Sequence, residues 1–295
     1  MRLVSYASGS KSAALGIRTS EGVLPLADVV PGLPDNLPAL LALGPAAMTR
    51  IGEALGRAPR VRPLDTTTVR LLPPITQAGK ILCLGLNYAD HATESKHARP
   101  DFPVIFLRAN TSLVAHGEAI VRPLQSSALD FEGELVAVVG RTARRVTRDD
   151  ALDYIAGYSV FNDASIRDYQ LRTPQWTVGK NFDGSGAFGP DFVTSDDVPA
   201  GASGLAIETR LNGALMQSAN TRDMIFGVAE TVELLSACMT LEAGDLLVMG
   251  TPAGVGAARK PPVWMKPGDV VDVTIEGIGT LSNPIVAEVE KAAAA

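Results

Sequence analysis

Leu129-Asp130-Phe131-Glu132-Gly133-Glu134-Leu135-Val136-Ala137-Val138-Val139-Gly140 decides how this chain is read. The run is short, rich in Val and Leu, and stops at Gly, which is the signature of a strand. Side chains alternate between the two faces of a strand. Glu132, Glu134, Val136 and Val138 therefore share one face, and two carboxylates continue a row that otherwise reads as apolar core. Two parallel anions there would repel and lose hydration. A divalent cation relieves both costs, and hard cations prefer oxygen ligands. The competing reading of the pair alone is an exposed edge of a half-solvated strand, where surface Glu is the ordinary case.

Working outward, 295 residues are enough for one large domain or a domain with a smaller companion. A core of that size needs no disulfide or structural metal. The hydrophobic share is 46% and the charged share 20%, an ordinary globular balance. A net charge of −6 argues against a nucleic-acid surface or a polybasic membrane patch. The densest basic stretch, Arg141 to Arg148, runs into Asp149 and Asp150 and reads as a solvated turn. Cys83 and Cys238 lie in apolar surroundings without C-x-x-C spacing, so both are expected as small buried hydrophobes in a reducing compartment. Met1 to Tyr6 carries no signal-peptide h-region, and no run of apolar residues is long enough to span a bilayer. The expectation is a cytoplasmic protein.

Residues 1–75 differ in texture from the rest. Arg2–Tyr6, Ala14–Arg18 and Val23–Leu26 read as short strands, and Leu37–Arg57 as a helical stretch broken at Gly44-Pro45. The proline-rich crossing around Pro59, Pro63, Pro73 and Pro74 marks a boundary. A small N-terminal α/β domain over 1–75 and a catalytic domain over 76–295 are therefore expected. The second segment is dense in candidate strands: Lys80–Leu86, Val104–Arg108, Leu135–Val139, Tyr154–Asn162, Leu205–Leu211, Asp245–Met249 and Val270–Ile275. A helix is predicted over Arg222–Met239, and turns at Leu211-Asn212-Gly213 and Lys266-Pro267-Gly268-Asp269. The fold class is α+β, predominantly β, without regular βαβ alternation.

Three further clusters carry chemistry-bearing residues. Asp163 ends the strand-like run Gly157–Asn162, and with Glu132 and Glu134 it would complete a set of three carboxylates suited to Mg²⁺ or Mn²⁺ rather than Zn²⁺. Taken alone it reads first as a cap for the segment from Ala164. His91 and Glu94 stand three apart, so on a helix the carboxylate would orient the imidazole as a general base. Taken alone that pair reads first as an incidental surface pair. Arg167 offers a bidentate carboxylate contact and Lys180 a point charge for an oxyanion or enolate; ordinary ion pairs are the alternative for both. Gly250-Thr251-Pro252-Ala253-Gly254-Val255-Gly256 allows close backbone approach and offers a hydroxyl, but it lacks the ending of a phosphate-binding P-loop. No nucleophile elbow occurs.

These pieces recur together and in order. From about Lys80 to Pro284 the chain resembles the fumarylacetoacetate hydrolase superfamily, through Gly85–His91, Phe131–Leu135, Asn162–Asp168, Gly179–Asp183 and Gly250–Gly256. The resemblance implies a rolled mixed β-sheet around a metal, a homodimer, and Mg²⁺ or a similar divalent ion such as Mn²⁺ or Ca²⁺. It implies Glu132, Glu134 and Asp163 as metal ligands, and His91 with Glu94 as a water-activating dyad on a mobile lid. It further implies Lys180 as a catalytic cation, with Arg108, Arg167, Gln170 and Thr251 as substrate contacts. At Arg108 many relatives have Lys, which keeps the charge and changes its geometry.

The resulting expectation is a metal-dependent hydrolase of 1,3-diketo acids such as acylpyruvates, with a small 2-oxo or diketo acid as its partner. An oxaloacetate-type decarboxylase or a 2-oxo acid tautomerase or hydratase on the same metal site is the alternative, because it needs only chelation and enolate stabilisation. A non-catalytic metabolite-binding protein is the third reading. Thr93–Pro103, with Lys96, His97 and Arg99, is expected to close over the substrate, and a merely solvated loop is the competing reading.

Overall fold

The computed structural model describes residues 1–9, 11–57, 61–94 and 100–290. Residues 95–99 of the expected lid, with Lys96, His97 and Arg99, therefore lie outside the described residues. Among the described residues no helix is long and apolar enough to cross a membrane.

Strands dominate, as the composition of short Val- and Leu-rich runs implies. An eleven-stranded sheet runs in the order Gly22–Pro25, Lys11–Thr19, Arg2–Ser8, Gly186–Thr194, Ile155–Asn162, Gly133–Val139, Leu246–Val248, Ile81–Gly85, Val104–Leu107, with two further short strands at its side. A five-stranded sheet is ordered Ala214–Asn220, Ala206–Leu211, Val270–Ile275, Gly279–Ala287, Ile120–Arg122. The expected alternation holds along Gly133–Val139. Leu135, Ala137 and Val139 pack into the cluster containing Val271, Val273 and Ile275 of the smaller sheet. Val136 and Val138 face the opposite way, into a cluster with Phe161, Phe188 and Phe192.

That second cluster also holds Leu3, Leu37, Leu40 and Ile51. The N-terminal segment thus covers one face of the large sheet, and its strand Arg2–Ser8 pairs with Gly186–Thr194. The helical stretch divides where Gly44-Pro45 predicts, into Leu37–Ala42 and Pro45–Gly56. Asn36 caps the first by accepting the Ala39 N–H at 3.0 Å.

Several expectations change in detail. The strand read as continuous from Leu129 is interrupted at Phe131–Glu132: Leu129–Asp130 pairs with Ser165–Ile166, and the main ladder starts at Gly133. The Asn162 side chain accepts the Glu132 N–H at 3.0 Å, holding the interruption open. The helix read over Arg222–Met239 starts only at Val228. The Asn87 carbonyl and side-chain oxygen accept the Ile225 and Phe226 N–H groups at 2.7 and 2.8 Å, so those donors are taken out of any helix. Cys83 is buried as expected, but Cys238 is exposed at the end of that helix. The basic turn docks on the same helix, with Arg144 donating to the Ser236 and Ala237 carbonyls and Arg148 pairing with Glu230 and Glu233.

Candidate metal centre and cavity

Glu132, Glu134 and Asp163 converge. Each is buried, and one ligand oxygen from each lies within 4.8 Å of the others. Two strand ends deliver them: Glu134 opens the ladder from Gly133, and Asp163 follows Asn162 on the neighbouring strand. The Asp163 N–H donates to the Glu132 carbonyl at 2.8 Å and locks the two ends together.

Their surroundings are unequal. Lys180 Nζ, fully buried, donates to both Glu132 and Asp163, the latter at 2.5 Å. Arg167 Nη2 stands 2.6 Å from Glu132 as an ion pair whose angle falls outside hydrogen-bond geometry. Arg108 donates to Asp163 at 2.5 Å. Among the described residues Glu134 has no cation within ion-pair distance, and its one donor is the Gly250 N–H at 2.6 Å. Burial alone would raise the carboxyl of Glu132, but Arg167 and Lys180 outweigh it and hold that group well below the usual range. Burial, with the charges of Asp163 and Glu132, pushes Glu134 well above it. Lys180 is disfavoured by burial, yet Asp163 and Glu132 raise it and keep it protonated.

The donor set fits a hard divalent cation. All three ligands are carboxylate oxygens, and among the described residues the buried Glu134 lacks the positive partner that its neighbours have. Softer ligands are absent from the cluster among the described residues.

A cavity of about 690 Å³ opens over the triad. His91, Glu94, Arg167, Gln170, Lys180 and Thr251 line it, so nine of the ten residues singled out in the sequence reach one chamber. Arg108 does not line it. Its guanidinium sits behind Asp163, donating also to Ser112, Ser185 and the Ala164 carbonyl. The structure thus gives this cation an orienting contact with a carboxylate of the triad rather than a place on the cavity wall.

His91 and Glu94 share the short helix Ala89–Glu94. His91 Nδ1 is 3.5 Å from Glu94 Oε2 without a formed hydrogen bond. Both Glu94 oxygens accept the Gly254 N–H, at 3.0 and 3.1 Å. Burial works against the ionised Glu94, but His91 and the Gly254 N–H lower it and keep it charged. Thr251 donates to the Gly133 carbonyl at 3.0 Å and accepts from Gln217 at 2.8 Å, which ties the glycine-rich loop to the strand bearing Glu134.

Sequence reasoning left several contributors without a role. Asp130 is fully buried and accepts the Phe131, Gly256 and Ala257 N–H groups and Arg167 Nε at 2.7–2.9 Å. One carboxylate therefore fixes both Arg167 and the wall loop after Gly254. Its one signal in the sequence was its place two residues before Glu132. Trp176 forms part of the wall and packs edge-on against Phe106, with ring centroids 5.7 Å apart. Arg259 and Lys260 also line the cavity.

Comparison with known proteins agrees with this architecture. The family model described as fumarylacetoacetate (FAA) hydrolase C-terminal matches residues 80–286. A mitochondrial oxaloacetate tautomerase of Xenopus laevis is 38% identical over 291 residues, covering 97% of this chain and 90% of that protein. An oxaloacetate tautomerase of Bacillus subtilis is 42% identical over 221 residues, 74% of this chain and 73% of that protein. Among solved structures, a fumarylacetoacetate hydrolase from psychrophilic Exiguobacterium antarcticum superposes with a TM-score of 0.84 at 36% identity, covering 98% of this chain and all of that one.

Proposed function

The chain belongs to the fumarylacetoacetate hydrolase family, and on that premise we propose that it is a divalent-metal-dependent tautomerase of 2-oxo acids of the oxaloacetate type. The observation that carries this reading is likeness along 97% of the chain to a protein named for that reaction. The alternative raised from the sequence thereby displaces the diketo-acid hydrolase as the main reading.

Glu132, Glu134 and Asp163 would hold the metal, with Mg²⁺ or Mn²⁺ suited to an all-oxygen set. When bound, such an ion supplies Lewis acidity toward the carboxylate and keto oxygens of a 2-oxo acid. Keto–enol exchange moves one proton off C3 and one onto the C2 oxygen, and consumes no water. His91 takes and returns the C3 proton; its Nδ1 faces Glu94, which leaves Nε2 as the exchanging position. Lys180, kept protonated by its carboxylate partners, stabilises charge gathering on the C2 oxygen. Arg167, Gln170 and Thr251 position the substrate from the cavity wall, and Arg108 holds Asp163 from behind.

The His91–Glu94 pair also supports a second reading, in which the same base activates water and an acylpyruvate is cleaved. One experiment separates the two. Purified protein with and without Mg²⁺ is given oxaloacetate, and enol loss is followed by ultraviolet absorbance with pyruvate assayed in parallel. Metal-dependent enol–keto exchange without excess pyruvate supports the tautomerase. Pyruvate release supports the decarboxylase, and faster cleavage of acylpyruvates than exchange of oxaloacetate restores the hydrolase.

The proposal extends to a cytoplasmic homodimer. Both cysteines are free, and Leu107 and Val178 are exposed apolar side chains suited to a subunit contact, with Asn181 donating to the Leu107 and Thr177 carbonyls between them. Sedimentation at monomer mass, or fractionation with another compartment, would remove those parts. Residues 1–75 are likewise proposed as a separate unit; a fragment of 76–295 that keeps metal-dependent activity supports this, and one that cannot fold contradicts it.

A further inference from the structure

We propose that Arg259 and Lys260 form a subsite for a second carboxylate, so that this chain selects dicarboxylic 2-oxo acids over monocarboxylic ones. The inference rests on the 2-oxo acid reading above and names the substrate class within it.

Four cationic residues line the described part of the cavity: Arg167, Lys180, Arg259 and Lys260. The first two are engaged by carboxylates at the metal end of the cavity. Arg167 pairs with Asp130 and Glu132, and Lys180 with Glu132 and Asp163. The other two form no ion pair with any carboxylate among the described residues, although Arg259 lies near enough to Glu94 to help lower its carboxyl. No residue outside the described set carries an acidic side chain that would supply one.

Arg259 is also held in place. Its Nη2 donates to the Met216 carbonyl at 2.7 Å and to Gly254 at 3.2 Å, and its Nε donates to Gly254 at 3.2 Å. Nη1 has no protein acceptor among the described residues. A half-buried guanidinium pinned by neutral carbonyls loses little entropy on meeting an anion. Lys260 adds a second, exposed charge beside it. The wall loop carrying both is set against the metal end by Asp130, through Gly256 and Ala257. One end of the cavity thus suits the chelating 2-oxo carboxylate and the wall suits a distal one, the charge pattern of a 2-oxo dicarboxylate.

The test is calorimetric binding of oxaloacetate and 2-oxobutanoate to the Mg²⁺-loaded protein. These two ligands share the chelating end and differ in the distal carboxylate. Wild type is expected to bind oxaloacetate at least about tenfold tighter, the range of a charge-assisted contact, with the ratio shrinking at high salt. Lys260→Gln and Arg259→Gln should each reduce the ratio by about threefold or more without shifting the 2-oxobutanoate constant. Among the described residues the Lys260 side chain makes no hydrogen bond or ion pair that its replacement would break, so that variant remains informative if Arg259→Gln loosens the Gly254 loop. A ratio unchanged in Lys260→Gln, or equal weakening of both ligands in both variants, overturns the subsite. Discrimination without catalysed enol exchange would keep the subsite and sink the tautomerase reading; exchange without discrimination would do the reverse.

Discussion

Replacing Glu134 by Gln should remove the metal-linked stability of the protein and, without metal, remove a cost as well. The ligand oxygens of the triad lie within 4.8 Å of one another. Unit charges at that spacing repel by about 3.5 kcal/mol at an effective dielectric near 20. Lys180, Arg108 and Arg167 offset part of the charge on Glu132 and Asp163, leaving an ionised, metal-free Glu134 about 1–3 kcal/mol uphill. A carboxyl whose folded value is raised contributes stability in full below its unfolded value near 4.3 and loses it as pH climbs through the folded value. Metal-free wild type should therefore lose stability as pH rises above the ordinary carboxylate range, relative to Glu134→Gln, which has no charge to acquire. Mg²⁺ takes the place of the proton, so its stabilisation should grow with pH. At a hundredfold excess over Kd it amounts to about 2.7 kcal/mol, or roughly 5 °C in Tm at the low end of the usual conversion. Thermal unfolding with and without Mg²⁺ from the ordinary carboxylate range up through neutral pH reads both effects. A Glu134→Gln protein that keeps the wild-type Mg²⁺ gain, or a wild-type gain flat in pH, would refute the reasoning.

Three other perturbations address the remaining parts. His91→Ala should lower the rate of enol exchange by about 10²–10⁴ while the Mg²⁺-induced rise in Tm stays, because His91 lies outside the triad; steady-state assays beside melting curves check this. Asp130→Asn should raise KM more than it lowers kcat, since it loosens Arg167 and the Gly256–Ala257 wall without touching the ligands directly; an unchanged KM would argue that Arg167 needs no such support. At Gly186 an added Cβ would meet Arg108 Nη2 at 2.6 Å; Gly186→Ala should displace that guanidinium from Asp163 and weaken Mg²⁺ binding by about tenfold or more, measured by titration.

Much of the site was legible because the informative residues are close in sequence and the alternation rule is local. Glu134 shares a face with Val136, so its burial follows from the pattern of the strand, whereas Glu132 reaches the triad from the break before Gly133. Asp163 and Lys180 were legible through motif order, which brought them to the same chamber. What stayed hidden depends on contacts across the fold. Asp130 acts through N–H groups more than a hundred residues away, and nothing beside it in the chain announces those partners. Arg108 was read as reaching a ligand because its charge is visible in sequence and its depth behind Asp163 is not. The strand Gly186–Thr194 went unread because Gly189, Pro190 and Asp191 break the usual texture; there Asp191 is satisfied by Arg18 from the N-terminal segment. The premature helix start came from periodicity that Asn87 overrides from a distant turn.

The most direct test of the central claim is the anomalous difference map of a crystal grown with Mn²⁺. The account predicts one strong peak bonded to Glu132, Glu134 and Asp163 at about 2.1–2.2 Å, the span of such metal–carboxylate bonds. A fully occupied ion bound elsewhere, with Glu134 still facing its two neighbours unbridged, would contradict it.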